Sequence, residues 1–218
     1  MSQIQSLYAG KLCPLEPEGQ QTGIYKQAVE SAEINREGIL GDQQADRRYH
    51  GGPEKALHQY ALCSYQNMLQ AYPQLADKAV PGSMGENISS RKLNDRNVCI
   101  GDIYRMGAVL LQVSQPRTPC WKINHRFDVE KLSLFIEQQR ITGWYYRVLE
   151  PGRMRVGDTI ELQERPNADI SIDRFLQTRS QHRPALSDLD ALIHCKGLNE
   201  EWLDKLRKRR RFLEVLKA

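Results

Sequence analysis

Up to about residue 165 the apolar side chains come in short runs broken by glycine, a spacing that leaves room for strands and little room for long helices. Three of the breaks carry the same apolar-Gly-Asp triplet: Leu40-Gly41-Asp42, Ile100-Gly101-Asp102 and Val156-Gly157-Asp158. Glycine supplies turn geometry and Asp bonds nearby backbone, so each triplet predicts a turn that leads into a sheet. Ile103-Tyr104-Arg105-Met106 and Ala108 to Val113 follow the second triplet, and Thr159 to Gln163 alternates at period two after the third. The expected body is mainly β with helical additions, a curved or closed antiparallel sheet spanning 1–165.

Two helical insertions interrupt it. Leu62, Tyr65, Leu69 and Tyr72 recur at helical spacing, as do Val129, Leu132 and Ile136. Past Arg165-Pro166-Asn167 only helical patterns remain, over roughly 171–178, 187–194 and 199–217, which predicts a three-helix extension at 166–218. Ser187 with Asp190 resembles a helix-start capping arrangement.

Composition narrows the class. The 218 residues are 40% hydrophobic and 27% charged, and no apolar stretch approaches a membrane span. The first residues lack a basic segment followed by an apolar one, so a cytoplasmic protein is expected. Cys13, Cys63, Cys99, Cys120 and Cys195 are scattered without a Cys-x-x-Cys pair, and reduced thiols are the default. The net charge of +4 is concentrated in the last twenty residues, where seven Lys/Arg face four Asp/Glu. That cluster, Lys205 and Arg207 through Arg211, lies on a helical pattern with Trp202, Leu206, Leu213 and Leu216 as its apolar side. A solvated helix face is favoured over a phosphate contact, because neither a nucleic-acid motif nor an aromatic stacking platform accompanies it.

Chemistry concentrates in two segments. In Gln115-Pro116-Arg117-Thr118-Pro119-Cys120-Trp121-Lys122 a lone thiol sits between fixed cations, on a loop stiffened by two prolines. Thiolate is the reactive form and neighbouring cations favour it, although a buried structural cysteine is equally compatible with this sequence. The stretch from Gly38 to His58 gathers glycines, His50, His58 and the cations Arg47, Arg48 and Lys55, a composition suited to an anion. Either histidine could instead be structural, and neither a P-loop nor a dinucleotide fingerprint is present.

Taken together, five blocks resemble the MOSC family, named for the C-terminal domain of molybdenum cofactor sulfurases. They are GILGDQQADRRYHGGPEKALH at 38–58, PGSMGENI at 81–88, NVCIGDIY at 97–104, QPRTPCWK at 115–122 and GWYYRVLEPGRMRVGDTIEL at 143–162. The helical tail is similar to the three-helix extension of one bacterial subgroup. The resemblance implies a β-barrel followed by a small three-helix bundle, and binding of the molybdenum cofactor, a pterin dithiolene carrying a phosphate. It also implies that Cys120 is the metal ligand, a role a soft thiolate suits. Thr22, Lys26, Arg47, His50, Lys55, Glu86, Asn87, Arg117, Lys122, Tyr145 and Arg147 are implied as cofactor-binding residues, with Arg47 and Arg147 ranked first for phosphate.

The function so implied is reduction of N-hydroxylated compounds, such as hydroxylamino purine bases, in detoxification. Cys120 and His50 are the catalytic pair, His50 as the proton donor. Lacking the extra N-terminal barrel and cysteine-rich iron–sulfur domain of longer relatives, the chain is expected to take electrons from a separate reductase and to work as a monomer, away from membranes. A second reading is a sulfur carrier using a Cys120 persulfide, and a nucleic-acid module using the tail is ranked last.

Overall fold

The computed structural model describes residues 2–16, 19–47 and 49–216. The first half of the chain forms β1 (Ser2–Gln3), β2 (Ser6–Ala9), β3 (Cys13–Leu15), β4 (Gln20–Thr22), β5 (Gln27–Val29), β6 (Ser31–Asn35), β7 (Gly38–Ile39), β8 (Leu57–Ala61), α1 (Leu62–Ala71) and β9 (Ile88–Ser90). The second half adds β10 (Ile103–Met106), β11 (Val109–Pro116), α2 (Lys122–Phe127), α3 (Leu132–Gln138), β12 (Trp144–Glu150), β13 (Gly152–Arg155) and β14 (Thr159–Glu164). Three helices close the chain: α4 (Ile172–Ser180), α5 (Leu186–Ile193) and α6 (Glu200–Val215). No helix among the described residues is long and apolar enough to cross a membrane.

Nine strands form one sheet in the order β1-β14-β10-β11-β12-β8-β9-β2-β5. Every neighbouring pair is antiparallel except β8–β9, which is parallel, so the sheet is mixed and not the purely antiparallel one expected. Only Ile4 and Gln5 separate β1 from β2, yet those strands lie near opposite ends of the order. The Ile4 amide donates to Asp158 O and the Gln5 amide to Ser89 O, each at 3.0 Å, so the sheet curls until one short stretch of chain bridges its two ends. A curled, barrel-like β body with C-terminal helices is the architecture predicted.

The three apolar-Gly-Asp triplets divide into two kinds. Asp102 and Asp158 accept the amides three residues back, Cys99 N at 2.9 Å and Arg155 N at 2.8 Å, and each leads into a strand as expected. Asp42 leads into none. Its carboxylate accepts the Gly10 amide at 2.8 Å, thirty-two residues away, and turns inward to the site described below.

The interior packs in two clusters. One fills the sheet's concave side with Leu57, Ile88, Val113, Trp144 and Tyr146 and continues without a break into Phe175, Leu176, Leu189, Leu206 and Leu213 of the C-terminal helices. The other lies on the opposite side of β8, where Tyr60 packs with Tyr65 and Met68 of α1, Ile123 and Phe127 of α2, and Leu132 and Ile136 of α3. α2 had no periodic signal in the sequence, and Val129 lies between α2 and α3, outside both. Ser171 caps α4 by accepting Arg174 N, and Asn199 caps α6 by accepting Trp202 N. Ser187 does not cap α5: the helix begins after Ala185, and Ser187 lies inside its first turn.

Candidate active site: a cation-rich recess beside Cys120

Alternation along two neighbouring strands creates the floor of the site. Trp144, Tyr146 and Val148 of β12 point into the core, so Tyr145 points the other way. Across the ladder Tyr145 faces His58 of β8, with ring centroids 5.3 Å apart. Beyond β11 the chain turns at Arg117, whose amide donates to Gly143 O at 3.0 Å, and runs through the loop carrying Cys120 into α2.

These groups line an inner recess of about 80 Å³, completed by Thr22 to Ile24, Lys26, Asp42 to Asp46, His50, Gly51, Lys55, Gly85, Asn87 and Lys122. It opens to an outer cleft of about 500 Å³ that adds Trp121 and, from α6, Glu201, Trp202 and Lys205. His50, Lys55, Cys120, Lys122 and Tyr145 belong to both, so Cys120 stands where the recess meets the cleft.

The recess is electropositive. Four cations line it, Lys26, Lys55, Arg117 and Lys122, against the carboxylates of Asp42 and Asp46. Lys26 and Asp42 form a buried ion pair, with the ammonium 2.6 Å from Oδ2, while Asp42 also accepts Gln44 Nε2 and Asn87 Nδ2. Burial pulls the Lys26 ammonium below its ordinary range, and Asp42 opposes that shift. Arg117 has no such carboxylate partner among the described residues: it is 5% exposed, gives Nη1 to Met84 O at 2.7 Å, and its Nε is buried without a partner. Lys122 Nζ donates to Gln21 O at 2.8 Å. Lys55 Nζ donates to Tyr49 O at 3.2 Å and lies 3.4 Å from Glu201 Oε2.

That charge reaches the histidines. Burial, then Arg117, Lys55 and Lys122, push His50 down to about 4, so the free recess holds a neutral imidazole at pH 7. Fully enclosed His58 is driven well below the ordinary histidine range by burial and Arg117, and its Nε2 is buried without a partner. A buried polar atom left without a partner is costly, so the orphaned Nε of Arg117 marks where a ligand's polar atom belongs, whereas His58 Nε2 lies against the Thr142–Gly143 backbone.

Of the sequence-predicted residues, the structure gathers Thr22, Lys26, His50, Lys55, Asn87, Arg117, Cys120, Lys122 and Tyr145 around this space. Three others lie elsewhere. Arg47 is exposed and ion-paired with Glu37. Arg147 shares a strand face with Tyr145 but is drawn to Glu54, with Nε 3.1 Å from both carboxylate oxygens, and to Gln112. Glu86 sits beneath the recess with no exposed surface, accepting Tyr65 Oη, the Gly82 and Met84 amides and Ser89 Oγ. It shapes the 82–87 turn and offers nothing to a ligand. Asn87 is also fully engaged, accepting His58 N and donating to Tyr8 O and Asp42. Arg48 lies outside the described residues. Sequence reasoning missed Asp42, Asp46 and the three α6 residues; only the failure of the first triplet to lead into an alternating strand signalled Asp42.

A curled sheet bearing a thiol at the mouth of a buried, cation-rich recess defines a barrel-like protein that sets a soft ligand beside surplus positive charge. The chain belongs to the MOSC-domain family, whose model matches residues 46–161. It is 34% identical over 206 residues to the protein YiiM of Escherichia coli (strain K12), an alignment covering 94% of this chain and 91% of that one. A protein named "Reductase" from Gibberella moniliformis is 37% identical over 182 residues, which is 81% of this chain and 31% of the fungal protein. The crystal structure of YiiM from Escherichia coli superposes with a TM-score of 0.81, covering 96% of this chain and 92% of that one, at 28% identity.

Proposed function

We propose that this protein is a molybdenum-cofactor-dependent reductase of N-hydroxylated compounds, such as hydroxylamino purine bases. The observation that carries the reading is Cys120 at the junction of recess and cleft, beside an Arg117 whose buried Nε has no partner. Family membership and the reductase relative support it. The residues present fit the cofactor. Among the described residues no group of three or more His, Cys, Asp or Glu could hold a metal alone, so a metal at Cys120 would bring its other ligands with it, as a dithiolene does. Arg117, Lys55 and Lys122 would meet the phosphate and dithiolene charge, and the outer cleft has the room the inner recess lacks.

When bound, the cofactor would supply a metal able to accept the hydroxyl oxygen as the N–O bond is cleaved, with electrons from a separate reductase. The chain's own residues hold and shield it. His50 is the proton donor in this reading: burial, then the charges of Arg117, Lys55 and Lys122, hold its imidazole neutral, and an anion among those cations would offset the charge part of that shift and favour proton uptake.

Protein purified from cofactor-competent cells should carry molybdenum and pterin near one per chain, with both lost in Cys120→Ser. Loaded protein given electrons should then convert an N-hydroxylated base to its amine. Metal-free protein carrying a Cys120 persulfide would overturn this reading in favour of sulfur transfer on the same thiol.

A further inference from the structure

A buried carboxylate outside the recess is bonded to the turn on which the recess depends. Asp95, in the turn between β9 and β10, is 3% exposed. Its Oδ1 accepts two consecutive amides, Thr142 N at 3.0 Å and Gly143 N at 2.9 Å. Its own carbonyl accepts Asp173 N at 2.7 Å, which ties the same point to the first turn of α4.

Gly143 lies outside the lining of the recess and is bonded to the chain that forms it. Its carbonyl receives the Arg117 amide at 3.0 Å, the backbone bond at the start of the Cys120 loop. Its φ of +73° suits glycine, and a Cβ there would stand 2.4 Å from Gln59 O and 2.9 Å from His58 Nε2. One residue is therefore bonded to the backbone of Arg117, whose Nε is orphaned, and leaves no room for a side chain beside the His58 ring.

We propose that Asp95 is a positioning residue: by holding the Thr142–Gly143 turn through Oδ1, it fixes where the Arg117 guanidinium sits to receive an anionic ligand and where the His58 ring packs. Burial lifts the Asp95 carboxyl to about 7, against the pull of those two amides. A carboxyl oxygen still accepts hydrogen bonds when the group is protonated, so the turn is held in either state. The second oxygen, Oδ2, is buried without a partner, as is the Tyr60 hydroxyl whose ionisation Asp95 opposes. The amide-holding role thus falls on Oδ1. That a ligand uses the positioned groups rests on reading the recess as an anion site; the positioning itself does not.

The test uses full-length ¹⁵N-labelled protein and follows the Arg117 Nε–H signal, assigned by its loss in Arg117→Lys. In the native chain this buried N–H should exchange slowly with water. Asp95→Ala, which strands two buried amides, should speed that exchange at least about tenfold, whereas Asp95→Asn keeps an acceptor and should leave it near native. Leu189→Ala, a core truncation in α5, serves as the control for general loss of stability and should leave the signal slow. Titration with inorganic pyrophosphate then reads the anion site separately: the signal should shift in native and Asp95→Asn protein at similar concentrations, and in Asp95→Ala only at much higher ones. Native exchange in a folded Asp95→Ala, or equal acceleration in Asp95→Asn or Leu189→Ala, would overturn the positioning role. A native protein deaf to pyrophosphate, with the exchange pattern as predicted, would overturn the anion reading and leave Asp95's role in place.

Discussion

Two walls of the recess carry charge in opposite ways. On one, Lys26 is closed off by Asp42, and Asp42 is in turn saturated by Gly10, Gln44 and Asn87. On the other, Arg117 and Lys122 donate to the backbone carbonyls of Met84 and Gln21, and Arg117 keeps a buried donor to spare. A carbonyl orients a cation without cancelling it. The first wall therefore holds shape, and the second holds the surplus charge that an anion would answer.

The largest effect should come from breaking the paired wall. Asp42→Ala leaves the Lys26 ammonium buried alone, a change expected to cost about 3–5 kcal/mol in urea unfolding. A loss below about 1 kcal/mol would erase the contrast between the walls. On the other wall the balance should reverse. Arg117→Met removes a guanidinium that is not fully satisfied, so stability should move by less than about 1 kcal/mol, while pyrophosphate binding by calorimetry weakens at least about tenfold.

The pH dependence of stability sharpens the same contrast, because two enclosed groups act with opposite signs. His50 stays neutral in the native state down to about 4, whereas an unfolded histidine protonates near ~6.5. The unfolded chain binds the extra proton, so this group removes stability as pH falls from about 6.5 toward 4. Asp95 holds its proton up to about 7 in the native state, against an ordinary 3.8, so its contribution is complete below 3.8 and is lost as pH rises toward 7. Urea unfolding across pH 4–7 should therefore tilt in opposite directions in His50→Gln and Asp95→Asn. Parallel curves would show that the two groups do not titrate as their surroundings dictate.

The smallest effect belongs to the rim. Glu201 is about half exposed and its contact with Lys55 is long, so Glu201→Gln should change stability by less than about 0.5 kcal/mol. Removing its charge should tighten pyrophosphate binding slightly, an effect that fades with added salt.

Legibility followed the range of the interactions. β11, β14 and the terminal helices were readable because period two and period 3.6 are local properties. Arg117, Cys120 and Lys122 were readable for a similar reason, since one stiff loop carries all three. The positions of Arg147 and Asp42 were not. Arg147 is drawn to Glu54, ninety-three residues away, and Asp42 to Gly10 across thirty-two. Nothing near either residue in sequence announces its partner. The α6 side chains entered the cleft unannounced for the same reason: Trp202 read as the apolar side of a helix, and only the fold places it beside the Cys120 loop.

The bridge formed by the first strands has a consequence for synthesis. β2 can find β5 and β9 once the first ninety residues exist, but β1 has no partner until β14 is made. From the synthesis of β1 until that of β14, Ser2 and Gln3 wait unpaired, and the bond from Ile4 to Asp158 closes a loop of more than 150 residues. β1 is thus made long before the strand it pairs with, and a nascent chain stalled before residue 159 would hold a sheet that cannot yet curl shut.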